Sequence, residues 1–193
     1  DSPKSYLPLI GRFGPPSQVA IAKAASYERA LVKQQVQAVL DGIGGISELA
    51  YGKKVAIKVN LTGGISAAPL AGWLETETYL THPEVVRALL ELLSDDGAAD
   101  VAIVEAAYEP ESWIKYGYSD IYQATGARIV DLTECGSPYS TGVAKIFSST
   151  SPYYYDEFTV HPILAEIDTL ISVSKMKCHN VAGVTHSIKN LFG

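Results

Sequence analysis

The stretch that decides the fold runs from Lys54 to Ala106 and contains three segments: KVAIKVNL at 54–61, THPEVVRALLELL at 81–93 and DVAIVEA at 100–106. The first and third are short, nearly continuous apolar runs, which are typical of strands buried on both faces in a parallel sheet. The middle segment repeats apolar residues at helical spacing, and Thr81 with Glu84 has the T-x-x-E spacing of a capping box. This order predicts parallel strands joined by a helix.

The alternation continues on both sides of this stretch. Apolar spacing predicts a helix over Tyr27–Gly42, and apolar runs predict strands at 18–24, 127–132 and 168–174. We therefore predict the α/β class, with a mostly parallel sheet and helices on both faces in three layers. Residues 18–193 form a single domain, after an N-terminal extension at 1–17. Within it, 62–80 is a loop insertion and 133–160 a turn-rich excursion that includes two strands. The domain is expected to be incomplete at its C-terminus.

Composition excludes several classes of protein. The 193 residues are 47% hydrophobic and 19% charged, as in a soluble globular protein. The net charge of −6 comes with no basic block, which argues against a nucleic-acid partner. No apolar run is long enough for a membrane span. Cys135 and Cys178 form no CxxC motif. The chain starts at Asp1, so a cytoplasmic location and export after leader removal are both open, and no motif indicates the oligomeric state.

Polar side chains follow three of the predicted strands at the point where each strand ends. Lys58 and Asn60 share one face of the first strand, and Glu105 ends the next. Lys175 and Lys177 share one face at the end of the last strand. Ligands of open α/β sheets bind beyond the carboxyl ends of the strands, so we expect an anion or carboxylate site at this edge. A structural ion pair between Glu105 and a lysine is the alternative.

The C-terminal segment SKMKCHNVAGVTHSIKNLFG, residues 174–193, adds further candidates. Thr185 is predicted to cap a short final helix, so Lys189 and Asn190 return to the same site one turn later. His82 is either an acid/base group or a solvated helix-start residue. His179, His186 and Cys178 match no standard zinc spacing, so no metal is predicted, and no motif identifies a cofactor. The candidate catalytic residues are His82, His179 and Lys177. The candidate ligand- or cofactor-binding residues are Lys58, Asn60, Glu105, Lys175, Thr185, Lys189 and Asn190.

These motifs resemble a known family. K-x-K-x-H at 175–179, T-x-x-x-K-N-x-F-G at 185–193, the strand GKKVAIKVNL and the THPE segment are similar to the domain-of-unknown-function family 362. The resemblance implies a larger α/β domain that continues past Gly193. It also implies relatives with iron–sulfur modules or export leaders, and a chemistry that is not established. Members often carry K-P-N at 58–60 and D-S-P-G after the next strand, where this chain has Glu105-Ala106-Ala107. At the level of fold, the layout is also distantly similar to the lactate racemase family.

Three hypotheses for function follow. The first is an enzyme of oxidoreductase or isomerase type that acts on a small anionic substrate or cofactor, held by lysines and oriented by Asn60 and Asn190. The second is a binding protein that holds such a ligand without turnover. The third is an extracellular structural protein in which the site has degenerated.

Overall fold

The structure, a computed structural model, describes residues 17–133, 145–148, 151 and 154–192. The α-helices within these ranges are α1 Arg29–Gly42, α2 Ser47–Ala50, α3 Glu75–Thr78, α4 Pro83–Asp95, α5 Glu111–Lys115 and α6 Tyr118–Thr125. The strands are β1 Lys54–Lys58, β2 Asp100–Glu105, β3 Arg128–Asp131, β4 Lys145–Ser148, β5 Glu157–Val160, β6 Thr169–Ser172, β7 Lys177–His179 and β8 Gly183–Thr185. Short 3₁₀ helices span Gly64–Ser66, Pro162–Ala165 and Lys189–Phe192.

Four parallel strands form the central sheet in the order β3-β2-β1-β6. The inner strand β1 pairs with β2 and β6, so that Ile57 lies between Ile103 and Ile171. Paired on both edges and covered on both faces, β1 needs the apolar run that its sequence has. The predicted α/β class with a mostly parallel sheet is confirmed. Two antiparallel hairpins accompany the sheet, β4 with β5 and β7 with β8.

The apolar core lies on both faces of this sheet. On one face Val55 and Ile57 pack in a cluster with Leu89 and Leu93 of α4 and with Ile121 of α6. On the other face the small residues Ala56 and Ala102 pack with Ile163 of the 3₁₀ helix Pro162–Ala165. The alternation along β1 explains this division, because successive side chains point to opposite faces. In the described part of the chain, the second face is therefore covered by a thinner layer than the first.

The order of the strands reverses beside β1. The chain moves from β1 to β2 and β3 on one side and then returns to place β6 on the other side of β1. At such a switch point the connections leave in opposite directions, and a crevice opens outside the carboxyl ends of the two strands. Here the two strands beside the switch point end at Lys58 in β1 and at Ser172 in β6.

Three local predictions were wrong. Residues 18–24 form no strand: they pair with nothing in the described ranges, and Val19 and Ile21 are 82% and 92% exposed. The helix α4 is capped by His82 rather than Thr81, since the His82 Nδ1 accepts the Glu84 amide at 3.1 Å. Thr185 caps no helix, because it lies in β8. The predicted strand pair in the excursion is confirmed as β4 and β5.

Two further findings bear on the expectations from composition. Among the described residues, no helix is both long and apolar enough to cross a membrane. Cys178 is exposed and carries a free thiol, while Cys135 lies outside the described residues. The proposed extension at 1–17 also lies outside them, apart from Ser17.

Candidate functional site

A cleft of about 740 Å³ opens at the carboxyl ends of β1 and β2, beside the β7–β8 hairpin. Five of the ten predicted site residues line it: Asn60, His179, Thr185, Lys189 and Asn190. The other lining residues come from the loops that follow β1, β2 and β3, namely Thr62, Ala106, Ala107, Tyr108 and Thr133. Segments distant in sequence thus meet where the parallel strands end.

At the ends of β1 and β2, next to this cleft, Lys58 and Glu105 form a buried ion pair. The Lys58 Nζ lies 2.6 Å from the Glu105 Oε1, and the two side chains are 5% and 3% exposed. Glu105 also accepts the amides of Leu61 at 2.9 Å and Ala106 at 2.8 Å. It therefore ties the ends of β1 and β2 together and holds the loop that follows β1. Burial raises the pKa of Glu105 and lowers that of Lys58, while their mutual attraction opposes both shifts.

Asn190 and Thr81 connect the ends of β1 and β6 across the switch point. The Asn190 Nδ2 donates to the Lys58 carbonyl and to the Ser172 Oγ, both at 3.2 Å. The Thr81 hydroxyl accepts the Asn60 amide at 3.0 Å and donates to the Val173 carbonyl at 2.6 Å. The T-x-x-E spacing did not indicate this role of Thr81. Because Pro favours the first position of a helix, Pro83 could have indicated that His82, and not Thr81, is the N-cap of α4.

Three buried oxygens on residues of the cleft have no hydrogen-bond partner among the residues that the structure describes. They are the Asn60 Oδ1, the Thr185 Oγ1 and the Asn190 Oδ1, on residues that are only 2–4% exposed. Six buried side-chain atoms lack partners in the described part of the chain, and half of them belong to this one cleft. Leaving such a group unpaired costs about 1–3 kcal/mol. Among the described residues, these unpaired groups are therefore concentrated in residues that line the cleft.

The β7–β8 hairpin forms one wall of the cleft, and the side chains along β7 alternate between its two faces. Residues 175, 177 and 179 are half-buried, whereas 176, 178 and 180 are exposed. Lys177 lies opposite Thr185, and His179 opposite Gly183. Residues opposite each other in an antiparallel pair share a face, so Lys177 and His179 lie on the same side of the hairpin as Thr185. His179 and Thr185 line the cleft, whereas Lys177 does not. Gly183 has a φ of 74°, a left-handed conformation in which a glycine starts β8 without strain.

Lys177 is held under unusual electrostatic conditions. Its Nζ donates to the Tyr79 carbonyl at 2.8 Å and lies 3.6 Å from the centre of the Tyr79 ring. Burial, together with the nearby Lys189 and Lys175 charges, lowers the pKa of Lys177 to about 8, while the Glu105 charge acts in the opposite direction. In the described residues no salt bridge involves these three lysines. Within the described part of the chain, Lys189 at the cleft and Lys177 beside it therefore form no ion pair with a carboxylate.

His82 and Lys175 lie in a cluster of their own, outside the lining of the cleft. The His82 ring stacks on Tyr27 with centroids 3.6 Å apart, and the Lys175 Nζ donates to the Tyr27 hydroxyl at 3.2 Å. Lys175 also donates to the Glu77 carbonyl at 3.0 Å. Burial and the Lys175 charge lower the pKa of His82 to about 4. His82 is therefore neutral at pH 7, with its Nδ1 occupied as a helix cap.

His179 also has one nitrogen occupied. Its Nδ1 accepts the amides of Val181 at 3.2 Å and Ala182 at 3.0 Å, which shapes the turn of the hairpin. The proton of the neutral ring must then lie on Nε2, so His179 offers a donor to its surroundings. The described residues contain no group of three or more His, Cys, Asp or Glu side chains placed to hold a metal ion.

Fold and site together define an α/β protein with a parallel sheet and a polar cleft at the carboxyl ends of its strands. The family described as "Domain of unknown function (DUF362)" matches residues 55–193, and the chain belongs to this family. A thylakoid-associated protein from Synechocystis sp. (strain ATCC 27184 / PCC 6803 / Kazusa) is 25% identical over 178 residues. The aligned part covers 91% of this chain and 50% of that protein, so the chain spans about half the length of this curated relative. No solved structure matches the chain. The resemblance to the lactate racemase family stays a prediction.

Proposed function

We propose that the cleft binds a small organic anion that also carries hydroxyl groups. The observation that carries this proposal is the set of three buried oxygens without partners, the Asn60 Oδ1, the Thr185 Oγ1 and the Asn190 Oδ1. The two amide oxygens can only accept hydrogen bonds, so they need a ligand with hydroxyl or amine donors. The Thr185 hydroxyl can donate to an anion as well as accept from a ligand.

The positive charges of the lysines favour a negatively charged ligand. Lys189 lines the cleft, and Lys177 lies on the same side of the hairpin as Thr185. A positively charged ligand would add to the repulsion between these ammonium groups, whereas a carboxylate or phosphate would relieve it. Lys58 and Glu105 have another role in this proposal. Their buried pair holds the cleft in shape from below, so we assign them to positioning rather than to ligand contact.

The site offers groups for more than binding. The Lys177 amine, the His179 Nε2–H and the Thr185 hydroxyl are polar groups that could move or hold protons on a bound molecule. An enzyme of isomerase or oxidoreductase type would use such groups, and a binding protein would need only the unpaired oxygens and Lys189. Both versions require the same ligand class, so binding is the property to test first.

Isothermal titration calorimetry with four matched probes tests the proposal. Glycerate and glycerol 3-phosphate carry both hydroxyls and an anionic group, propionate lacks the hydroxyls, and glycerol lacks the charge. We expect binding of one or both hydroxylated anions. Propionate and glycerol should each bind at least about tenfold more weakly than the hydroxylated anion that binds. A tenfold change corresponds to about 1.4 kcal/mol, which is the free energy of about one hydrogen bond. Failure of both hydroxylated anions to bind at millimolar concentration would overturn the proposal.

Two lysine variants localise any binding that is observed. Lys189→Met removes the charge that lines the cleft and should weaken anion binding by at least about tenfold. Lys53→Met removes an exposed charge just before β1, at the opposite end of the sheet, and should leave binding unchanged. Equal loss in both variants would mean that net charge, and not the cleft, attracts the anion.

A further inference from the structure

Among the described residues, Lys177 forms no ion pair, unlike several other lysines. Lys58 is paired with Glu105, and Lys115 with Glu75 at 2.8 Å. The Lys177 Nζ has instead one hydrogen bond, to the Tyr79 carbonyl, and the face of the Tyr79 ring beside it. A half-buried ammonium without a carboxylate partner is poorly stabilised in its charged form. Its position therefore suits an amine that reacts.

Lys177 is not a lining residue of the cleft, but the hairpin places it on the same face as Thr185, which is one. Its partner across the hairpin is Thr185, whose buried hydroxyl lines the cleft. The charges of Lys189 and Lys175 act on it from the neighbouring segments. An amine becomes a nucleophile when burial or an adjacent cation favours its neutral form, and both conditions hold here.

We propose that Lys177 is an amine nucleophile that forms an imine with a carboxylate-bearing carbonyl compound, such as a 2-oxo acid, bound in the cleft. This inference rests on the proposed function, because Lys189 would hold the carboxylate while the Lys177 amine reacts with the carbonyl carbon. The lowered pKa of Lys177, about 8, agrees with this geometry. At pH 8 about half of this amine is neutral, against about 1 in 300 for an unperturbed lysine.

The reaction balances without a cofactor. The neutral Lys177 nitrogen attacks the carbonyl carbon, a C–N bond forms, and the proton lost by nitrogen passes to the former carbonyl oxygen. The resulting carbinolamine then loses this hydroxyl as water, with the second nitrogen proton, and a C=N bond remains. No atom is oxidised or reduced. The Thr185 hydroxyl is placed to hydrogen-bond the oxygen that leaves.

Reductive trapping of the full chain tests this inference. The protein is incubated at pH 7.5 with pyruvate and cyanoborohydride, and the modified lysines are mapped by peptide mass spectrometry. Acetone, in which a methyl group replaces the carboxylate, is the matched uncharged probe. We expect pyruvate to modify Lys177 on the order of tenfold more than the exposed Lys53, because more of its amine is neutral. This preference should be smaller with acetone.

Variants separate this inference from the proposed function. Lys177→Arg keeps the positive charge but removes the reactive amine, so the pyruvate adduct at this position should disappear. Lys53→Arg should leave it unchanged. Circular dichroism of each variant verifies folding. Modification spread evenly over the lysines, or absent at Lys177, would overturn the inference. Glycerate calorimetry on the same wild-type protein then reports independently on the proposed function, which stands if glycerate binds although no imine forms.

Discussion

A double-mutant cycle on Lys58 and Glu105 tests how the cleft is held in shape. The perturbation is the pair of single changes Lys58→Met and Glu105→Gln, together with the double variant. The two charged atoms are 2.6 Å apart and their side chains 5% and 3% exposed, so each single change leaves a buried charge without its counter-charge. Breaking a buried pair in this way costs about 3–5 kcal/mol.

The double variant should be less destabilised than the sum of the two single-variant costs. With both charges gone, two losses remain. Gln offers a single oxygen to the amides of Leu61 and Ala106 that Glu105 accepts, and Met cannot make the Lys58 hydrogen bond to the Val59 carbonyl. An unpaired buried amide costs about 1–3 kcal/mol. We therefore expect the double variant to unfold with a free energy closer to wild type than either single variant.

Urea denaturation at pH 7, followed by tryptophan fluorescence, measures these free energies. Trp113 is 6% exposed and belongs to the core cluster that contains β1, so its emission reports on the folded sheet. Asp100→Asn is a control from the other end of β2. Its ion pair with Arg128 is 34–48% exposed, and its loss should cost less than about 1 kcal/mol. Additive costs in the cycle would refute the reasoning, because they would mean that Lys58 and Glu105 contribute separately.

Two further predictions concern the cleft and the His82 cluster. Thr185→Val replaces a buried unpaired hydroxyl by a methyl group, so we expect the free protein to be stabilised by about 1 kcal/mol. The dissociation constant of the hydroxylated anion should rise about tenfold, because the Thr185 hydrogen bond to it is lost. Thr185→Ser is its control in thermal unfolding and calorimetry. The pKa of His82 is lowered to about 4, so its contribution to stability is present above its unfolded pKa of about 6.5 and is lost as the pH falls toward 4. His82→Asn keeps a helix-capping side chain and should reduce this loss in urea titrations at pH 7 and 5; an unchanged acid dependence would show that other groups cause it.

Much of the sheet could be predicted from local sequence. The centres of the two runs, 55–57 and 101–104, are apolar on both faces, and few structures other than a covered parallel strand accommodate such runs. The half-buried and exposed alternation of 175–180 was also predictable, since it follows from the period of two along an extended chain. By contrast, the apolar alternation at 18–24 failed as a predictor, because a strand exists only where another strand accepts its hydrogen bonds.

The roles of single polar residues were harder to predict. Thr81 has the residue type and spacing of an N-cap, yet its hydroxyl bridges Asn60 and Val173 while His82 caps the helix. Thr185 likewise has the look of a cap and lies in a strand. In each case a partner distant in the chain competes with the local one, and local spacing carries no information about that partner.

The sequence alone determined the class of the fold and the end of the sheet at which polar groups would gather. Burial patterns and strand ends are local properties, and family membership is carried by local motifs as well. Only the tertiary structure decided which of those groups share one cleft. The order β3-β2-β1-β6 placed β6 beside β1 and opened the switch point. It joined Lys58 to Glu105 in a buried pair, set His82 and Lys175 apart around Tyr27, and brought Asn60, Thr185 and Asn190 together as lining residues of one cleft. Strand order depends on contacts between segments more than 100 residues apart, such as Lys58 with Ser172, and no local pattern encodes it.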